Sequence, residues 1–101
     1  MDATIFKVSG VTFENFQEAI YWLIKDAGLK EFELERINHP KDQYAIKITA
    51  SGVQFGWVPV PLNRELAAAM DNGQKYFAEL VCLNTHPRHE TIGVTVRLKK
   101  K

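Results

Sequence analysis

The turn after the second predicted strand carries the residues best suited to bind a ligand. Arg36 lies on the apolar phase of the alternating residues 31–36, so its guanidinium needs a carboxylate, a carbonyl or an anionic ligand. Asn38, Lys41 and Asp42 follow in the adjoining turn, and a short loop keeps them near Arg36 at one rim of the fold. Arg36 and Lys41 suit a phosphate, whereas Asp42 repels a phosphate and suits a hydroxyl donor.

The same turn also has a purely structural interpretation. Asn38 can form an Asx turn, and Asp42 can accept hydrogen bonds from backbone amides. This interpretation accounts for both residues but leaves the position of Arg36 unexplained. Both interpretations therefore stay open from the residues alone.

A metal site is the second chemistry that the residue types allow. Cys82, His86 and His89 lie within eight positions, and His39 is a possible fourth ligand. Zinc sites use these residue types with tighter paired spacings, such as Cys-x-x-Cys. Cys82 lies inside the apolar run 80–83, which predicts a buried, inert thiol, and the histidines are predicted to lie in a surface loop. No bound metal is expected, and these three residues stay weak candidates.

Enzyme motifs are not visible in the chain. The sequence has no Gly-rich phosphate loop, no nucleophile elbow and no His-Glu-x-x-His motif. Glu31, Glu33 and Glu35 share one face of a strand, which is typical of a solvated surface. The prediction is a protein that is not an enzyme and needs no cofactor.

The length and composition predict one small domain. The 101 residues are 46% hydrophobic and 25% charged, with 6 Gly, 4 Pro and a single cysteine. These values exclude disordered, collagen-like and disulfide-scaffold classes. We predict a domain over 1–101, with a core at about 3–98 and a frayed basic tail at 99–101. The net charge of +1 is lower than is usual for a domain that coats DNA without sequence preference. The single cysteine, the N-terminus without basic residues and the lack of a long apolar run predict a cytoplasmic protein without a membrane contact.

Hydrophobic periodicity predicts the elements that position the turn. Residues 31–36 and 91–98 alternate as strands, while an apolar stripe over residues 16–27 predicts an amphipathic helix. Further strands are predicted at 3–9, 44–49, 53–58 and 74–83, a second helix at 62–70, and a loop at 84–90. The order β-α-β-β-β-α-β-β is mainly β with two helices, an α+β fold. It predicts a six-stranded small barrel that is similar to oligonucleotide-binding (OB) or SH3 folds.

Four segments in the same order resemble the HIRAN domain family. The segment Arg36-x-Asn38-x-Pro40-x-Asp42-x-x-Ala45-Ile46 resembles the family signature, close to R-x-x-N-x-x-D-x-x-A-I. The other three are Gly10-Val11-Thr12-Phe13-Glu14-Asn15 with Gln17-Glu18, Phe55-Gly56-Trp57-Val58-Pro59, and Leu66-Ala67 with Asp71-Asn72-Gly73. Together they cover most of the chain, and the resemblance is to the stand-alone bacterial type.

The resemblance implies a barrel with added helices that binds nucleic acid. HIRAN domains occur beside DNA translocases, and the best understood members bind single-stranded DNA at a free 3′ end. There the motif aspartate, here Asp42, meets the terminal hydroxyl, and aromatic rings stack on the last bases. Lys41 stands where an aromatic platform is frequent, so weaker binding is expected.

The expected function is therefore a nucleic-acid-binding module that engages single-stranded DNA, preferentially at 3′ ends. DNA repair or processing, with a helicase or nuclease partner, is the expected context. Two alternatives stay open: a protein-interaction or assembly domain without DNA binding, and a metal-dependent enzyme. The predicted nucleic-acid-binding residues are Arg36, Asn38, Lys41, Asp42, Tyr44, Trp57 and Lys7.

Overall fold

The computed structural model describes residues 3–101, which form a mostly β, α+β fold. The strands are β1 (Ile5–Lys7), β2 (Glu31–Arg36), β3 (Ile46–Ala50), β4 (Val53–Trp57), β5 (Tyr76–His86) and β6 (His89–Lys100). Helix α1 (Phe16–Ala19) continues as a π-helix (Ile20–Asp26), and helix α2 (Leu62–Asp71) precedes β5. The predicted element order and fold class are confirmed.

The six strands form one antiparallel sheet that curls into a half-barrel. The strand order is β1-β6-β5-β2-β3-β4, so β1 and β4 are the edges. The edges meet just beyond β1, where Ser9 and Trp57 exchange two backbone hydrogen bonds of 2.8 and 2.9 Å. This contact brings the N-terminal segment beside the end of β4, next to the turn that the sequence singled out.

The alternating strands bury one face each, as a half-buried sheet requires. In β2, Phe32 is buried and Leu34 and Arg36 are partly buried, while Glu31, Glu33 and Glu35 are exposed. The core also takes residues from the first helix and from α2. Its largest fully buried side chains are Phe32, Phe55, Ile20, Ile46, Ile48, Leu66, Leu98, Val94 and Val96.

The first helix differs from the regular α-helix that the apolar stripe predicts. From Ile20 onward its turns widen, and the Ala27 N–H donates to the Trp22 carbonyl five residues earlier. Buried residues recur every four positions, at Phe16, Ile20 and Ile24, a spacing that a turn wider than 3.6 residues keeps on one side. Ala27, predicted to lie on the apolar face, is exposed.

The last hairpin is longer than the sequence pattern predicts. β5 and β6 pair as far as His86 and His89, so the predicted loop 84–90 is mostly strand with a short turn. At the other end, Lys99 and Lys100 pair with the start of β5, so the predicted frayed tail is wrong. The backbone hydrogen bonds between β5 and β6 outweigh the repulsion between the neighbouring lysines at this end of the sheet.

Cys82 is exposed, so the prediction of a buried thiol is wrong. The register of β5 against β6 shifts between Leu80 and Cys82, which inserts an extra residue at Val81. Such a bulge turns the following side chains to the other face of the strand. The Cys82 thiol consequently lies 3.4 Å from Asn84 Oδ1 at the surface.

None of the helices in residues 3–101 is long and apolar enough to cross a membrane.

Candidate nucleic-acid interface

A cleft of about 230 Å³ opens where the turn after β2 meets the end of β4. The turn contributes His39, Asp42 and Ala45, β3 contributes Ile46, and the end of β4 contributes Trp57 and the residues after it. The closing segment beyond β1 adds Ser9. The full lining is Ser9, His39, Asp42, Ala45, Ile46, Trp57, Val58 and Val60. An apolar floor with a few polar groups at the rim is typical of ligand sites.

Asp42 is held firmly at this rim. Its Oδ1 accepts a 2.8 Å hydrogen bond from the Tyr44 backbone N–H, which forms an Asx turn. Its Oδ2 accepts a 2.9 Å bond from Nδ2 of Asn63, a buried residue of α2. A carboxylate has about four lone-pair sites, so each oxygen keeps capacity for a further donor. The carboxylate is therefore a structural anchor that keeps acceptor capacity, on a residue that lines the cleft.

His39 and Trp57 form an aromatic wall of the cleft. Their ring centroids lie 5.7 Å apart at 84°, an edge-to-face contact. Nδ1 of His39 accepts a 3.1 Å hydrogen bond from the Lys41 backbone N–H. In the neutral ring the proton consequently sits on Nε2, which is left as a donor. Trp57 is partly buried and packs beside Gly10, whose positive φ of 73° lets the chain pass close to the indole.

Ser9, His39 and Asp42 share residue types with a hydrolytic triad but not its geometry. In a triad the histidine donates through Nδ1 to the aspartate and uses Nε2 as the base. Here Nδ1 of His39 accepts from a backbone N–H, and the Asp42 oxygens accept from Tyr44 and Asn63. The hydrogen-bond directions therefore differ from those of a triad.

Arg36 joins the turn to helix α2 instead of entering the cleft. Its guanidinium makes a bidentate pair with Asp71, with Nε–Oδ1 at 3.0 Å and Nη2–Oδ2 at 3.1 Å. It also donates to the carbonyls of Ala45 at 3.0 Å and Gln43 at 3.2 Å. The charge on the apolar phase of β2 is thus satisfied by a carboxylate and two carbonyls. Arg36 positions the segment that carries Asp42.

The Arg36–Asp71 pair makes stability depend on pH in the acid range. The hydrogen bond from Arg36 lowers the pKa of Asp71 below its ordinary value of 3.8, and the same bond raises the pKa of Arg36. A lowered folded-state pKa stabilises the fold above the unfolded pKa, and this contribution is lost as pH falls through the folded pKa. Asp71→Asn is therefore expected to lower the urea midpoint at pH 7, with a difference from wild type that closes below pH 3.8.

The matched control is Asp26→Asn, an exposed acid at the end of the first helix. Its effect on the urea midpoint should be smaller at pH 7. A difference between Asp71→Asn and wild type that persists unchanged into strong acid would contradict the assigned ion pair.

The other predicted binding residues lie at differing distances from the cleft. Lys41 and Asn38 are exposed on the turn but do not line the cleft. Tyr44 is partly buried, and the Arg64 guanidinium carbon lies 5.2 Å from its ring centroid. Lys7 is exposed on β1, paired in register with Thr95. Of the predicted set, the cleft itself brings together Asp42 and Trp57.

The predicted metal candidates do not form a cluster. His86 and His89 face each other across the hairpin with ring centroids 4.8 Å apart. Cys82 lies four residues before His86 along β5, a separation of roughly 13 Å in an extended strand. Within residues 3–101 no group of three or more potential ligands could hold a metal ion.

Six of the eight cleft residues were not predicted to bind a ligand. His39 was considered only as a metal ligand, and Ser9 and Val60 were not considered. The other three were named only within the segments that resemble the HIRAN family: Ala45, Ile46 and Val58. Ser9 reaches the cleft only because the sheet closes on Trp57, a contact 48 positions apart in sequence. The sequence could have indicated His39 as a binding residue, because it lies in the same turn as Asp42.

Comparison with known proteins establishes the fold and leaves the family open. No protein-family model matches the chain, and the search of curated proteins gives no significant match. A crystal structure of a protein from Lactobacillus plantarum is similar, with a TM-score of 0.69 and 19% identity. The similarity covers 97% of this chain and 95% of that chain. At this identity the similarity shows a shared fold alone.

Proposed function

We propose that the protein is a nucleic-acid-binding module that holds the free 3′ end of a single strand of DNA in the cleft. The observation that carries the proposal is the placement of the Asp42 carboxylate beside the Trp57–His39 wall. The 3′ end of a DNA strand offers a flat base that can stack on the Trp57 and His39 rings, and a hydroxyl group that can donate to the Asp42 carboxylate. An internal phosphodiester offers no 3′-hydroxyl, so Asp42 would only repel it.

Each group of the cleft has a partner on a terminal nucleotide. The Trp57 ring can stack on a base, and Nε2 of His39 can donate to a base acceptor or a phosphate oxygen. Asp42 is positioned before binding by Tyr44 and Asn63, so little ordering is needed when a hydroxyl arrives. The resemblance to HIRAN domains supports the same assignment of Asp42, and it supports a helicase or nuclease as the partner in DNA repair or processing.

The electrostatics favour modest affinity. Arg36 is paired with Asp71, which leaves Lys41 on the turn and Arg64 on α2 as exposed cations for phosphate groups. Two phosphate contacts to a single strand give a slope of about −1.4 in log affinity against log salt concentration. A much steeper slope would indicate a larger basic track than the cleft provides.

Oligonucleotides that differ only at the 3′ terminus test the proposal. Fluorescence anisotropy with a 5′-labelled strand ending in a 3′-hydroxyl should give tighter binding, by about tenfold, than the same strand ending in a 3′-phosphate. The phosphate brings negative charge against Asp42 and removes the donor. Asp42→Asn should reduce this discrimination, while Asp26→Asn should leave it unchanged.

The outcomes separate the candidate functions. Equal binding of both strands would overturn end recognition and leave general single-strand binding. If neither strand binds to correctly folded protein, the nucleic-acid proposal fails and a protein-interaction or assembly role becomes the better account.

A further inference from the structure

A second groove lies between the first helix and the start of β6, and shares no lining residue with the cleft. Its volume is about 260 Å³. It is lined by Gln17, Glu18, Tyr21, Trp22, Glu90 and Ile92. The groove therefore combines two aromatic rings with two carboxylates.

The two rings are unusually exposed for their size. Trp22 is 60% exposed and Tyr21 is 44% exposed, and their centroids lie 5.1 Å apart at 84°. The Lys25 ammonium lies 5.2 Å from the Tyr21 centroid, so Tyr21 already contacts a cation of the protein itself. The indole of tryptophan is the ring that attracts cations most strongly. Trp22 therefore offers a face suited to a cation from outside.

The carboxylates give the groove a matching charge. Glu18 on the first helix and Glu90 on β6 are both exposed at its edges. Gln17 and Ile92 add no charge, and Lys25 lies over Tyr21 rather than among the lining residues. Two negative charges beside an exposed indole disfavour a phosphate backbone and favour a cationic side chain.

The groove is built on a rigid base. The Gln17 side chain donates through Nε2 to the Val11 carbonyl at 2.8 Å and to the Ile92 carbonyl at 3.0 Å. Its Oε1 accepts a 2.7 Å bond from the Ile92 N–H. These bonds tie the helix to β6 much as a neighbouring strand would. The two walls of the groove are consequently positioned before any partner arrives.

We propose that this groove binds a partner protein by accepting an arginine side chain of that partner. A guanidinium is planar, stacks on an indole face and donates in a fork to carboxylates, so it uses Trp22, Glu18 and Glu90 together. The proposal is independent of nucleic-acid binding, because the groove and the cleft have no residue in common. It gives the protein one surface for nucleic acid and another for a basic segment of a partner.

A short peptide with one arginine, acetylated and amidated at its ends and otherwise glycine, tests the groove. The protein has two tryptophans, so its ¹⁵N-labelled form gives two indole N–H signals, which Trp22→Leu assigns. The arginine peptide is expected to shift the Trp22 signal saturably, in the millimolar range at low salt, and to leave the Trp57 signal unchanged. The same peptide with citrulline, which is nearly isosteric and uncharged, should give no saturable shift.

Charge variants supply the matched control. The double variant Glu18→Gln with Glu90→Gln should bind the arginine peptide about five- to tenfold more weakly than the wild type. Glu33→Gln with Glu65→Gln, which removes two exposed acids outside the groove, should have little effect. Equal shifts from the arginine and citrulline peptides, or equal weakening by the two double variants, would overturn the proposal.

Discussion

Replacing Gly56 with alanine is expected to destabilise the protein by about 3 kcal/mol, since new atoms in a packed site force the backbone to move. A Cβ at this position would overlap Val8 Cγ1 and lie 2.9 Å from the Ser9 carbonyl oxygen. Ser9 is the residue that joins the two edges of the sheet at Trp57, so the substitution strains the closure itself. For a domain of this size the expected fall in Tm is roughly 12–24 °C.

Gly93→Ala is the matched control for Gly56→Ala. Gly93 also lies in a strand, but the atom nearest to an added Cβ is Asn84 Cβ at 3.3 Å, on a half-buried side chain of the hairpin. Its effect on the free energy of unfolding should stay within about 1 kcal/mol. Urea or thermal denaturation followed by circular dichroism measures both variants. Equal stability of the two would contradict the close approach of Val8 and Ser9 to β4.

Trp57→Leu is expected to weaken binding of single-stranded DNA by roughly tenfold to a hundredfold, because one base loses its stacking partner. The side chain is only partly buried and leucine keeps an apolar group there, so the variant should still fold. Trp57→Phe keeps an aromatic face and should recover part of the affinity. The measurement is anisotropy with the 3′-hydroxyl strand, on variants whose Tm has first been determined.

Each tryptophan variant serves as the control for the other in these binding experiments. Trp22 is exposed in the groove on the first helix, away from the lining of the cleft. Trp22→Leu should leave DNA binding unchanged, whereas Trp57→Leu should leave the expected response of Trp22 to the arginine peptide unchanged. Loss of DNA binding in Trp22→Leu, with Trp57→Leu unaffected, would contradict the assignment of the cleft.

The sequence alone was sufficient for the element order because local patterns decide it. The strict alternation of β2 and β6 requires one buried face, and the apolar stripe of the first helix requires a helical turn. The turn after β2 was also predicted as the feature that carries binding chemistry. Within that turn, the sequence predicted that Asp42 accepts a hydrogen bond from a backbone amide, and the Tyr44 N–H is that donor.

Local patterns were insufficient where a strand departs from regular register. A bulge at Val81 reverses the faces of the residues after it, so the phase of the apolar run gave the wrong burial for Cys82. The predicted loop at 84–90 failed for a related reason. Pairing between β5 and β6 continues through the polar residues on both sides of Pro87, although these residue types have little preference for strands.

Only the tertiary structure determines which residues line the cleft. The sequence showed that Arg36 needs a partner but could not choose between a ligand and Asp71, which lies 35 positions further along the chain. The cleft needs Ser9 and Trp57 side by side, and this contact exists only because the curled sheet joins its two edges. Sequence periodicity reports which face of an element is buried, whereas long-range contacts depend on how the faces pack against one another. The sequence therefore determined the strands, the helices and the turn that carries Asp42, and the closure of the sheet determined what surrounds that carboxylate.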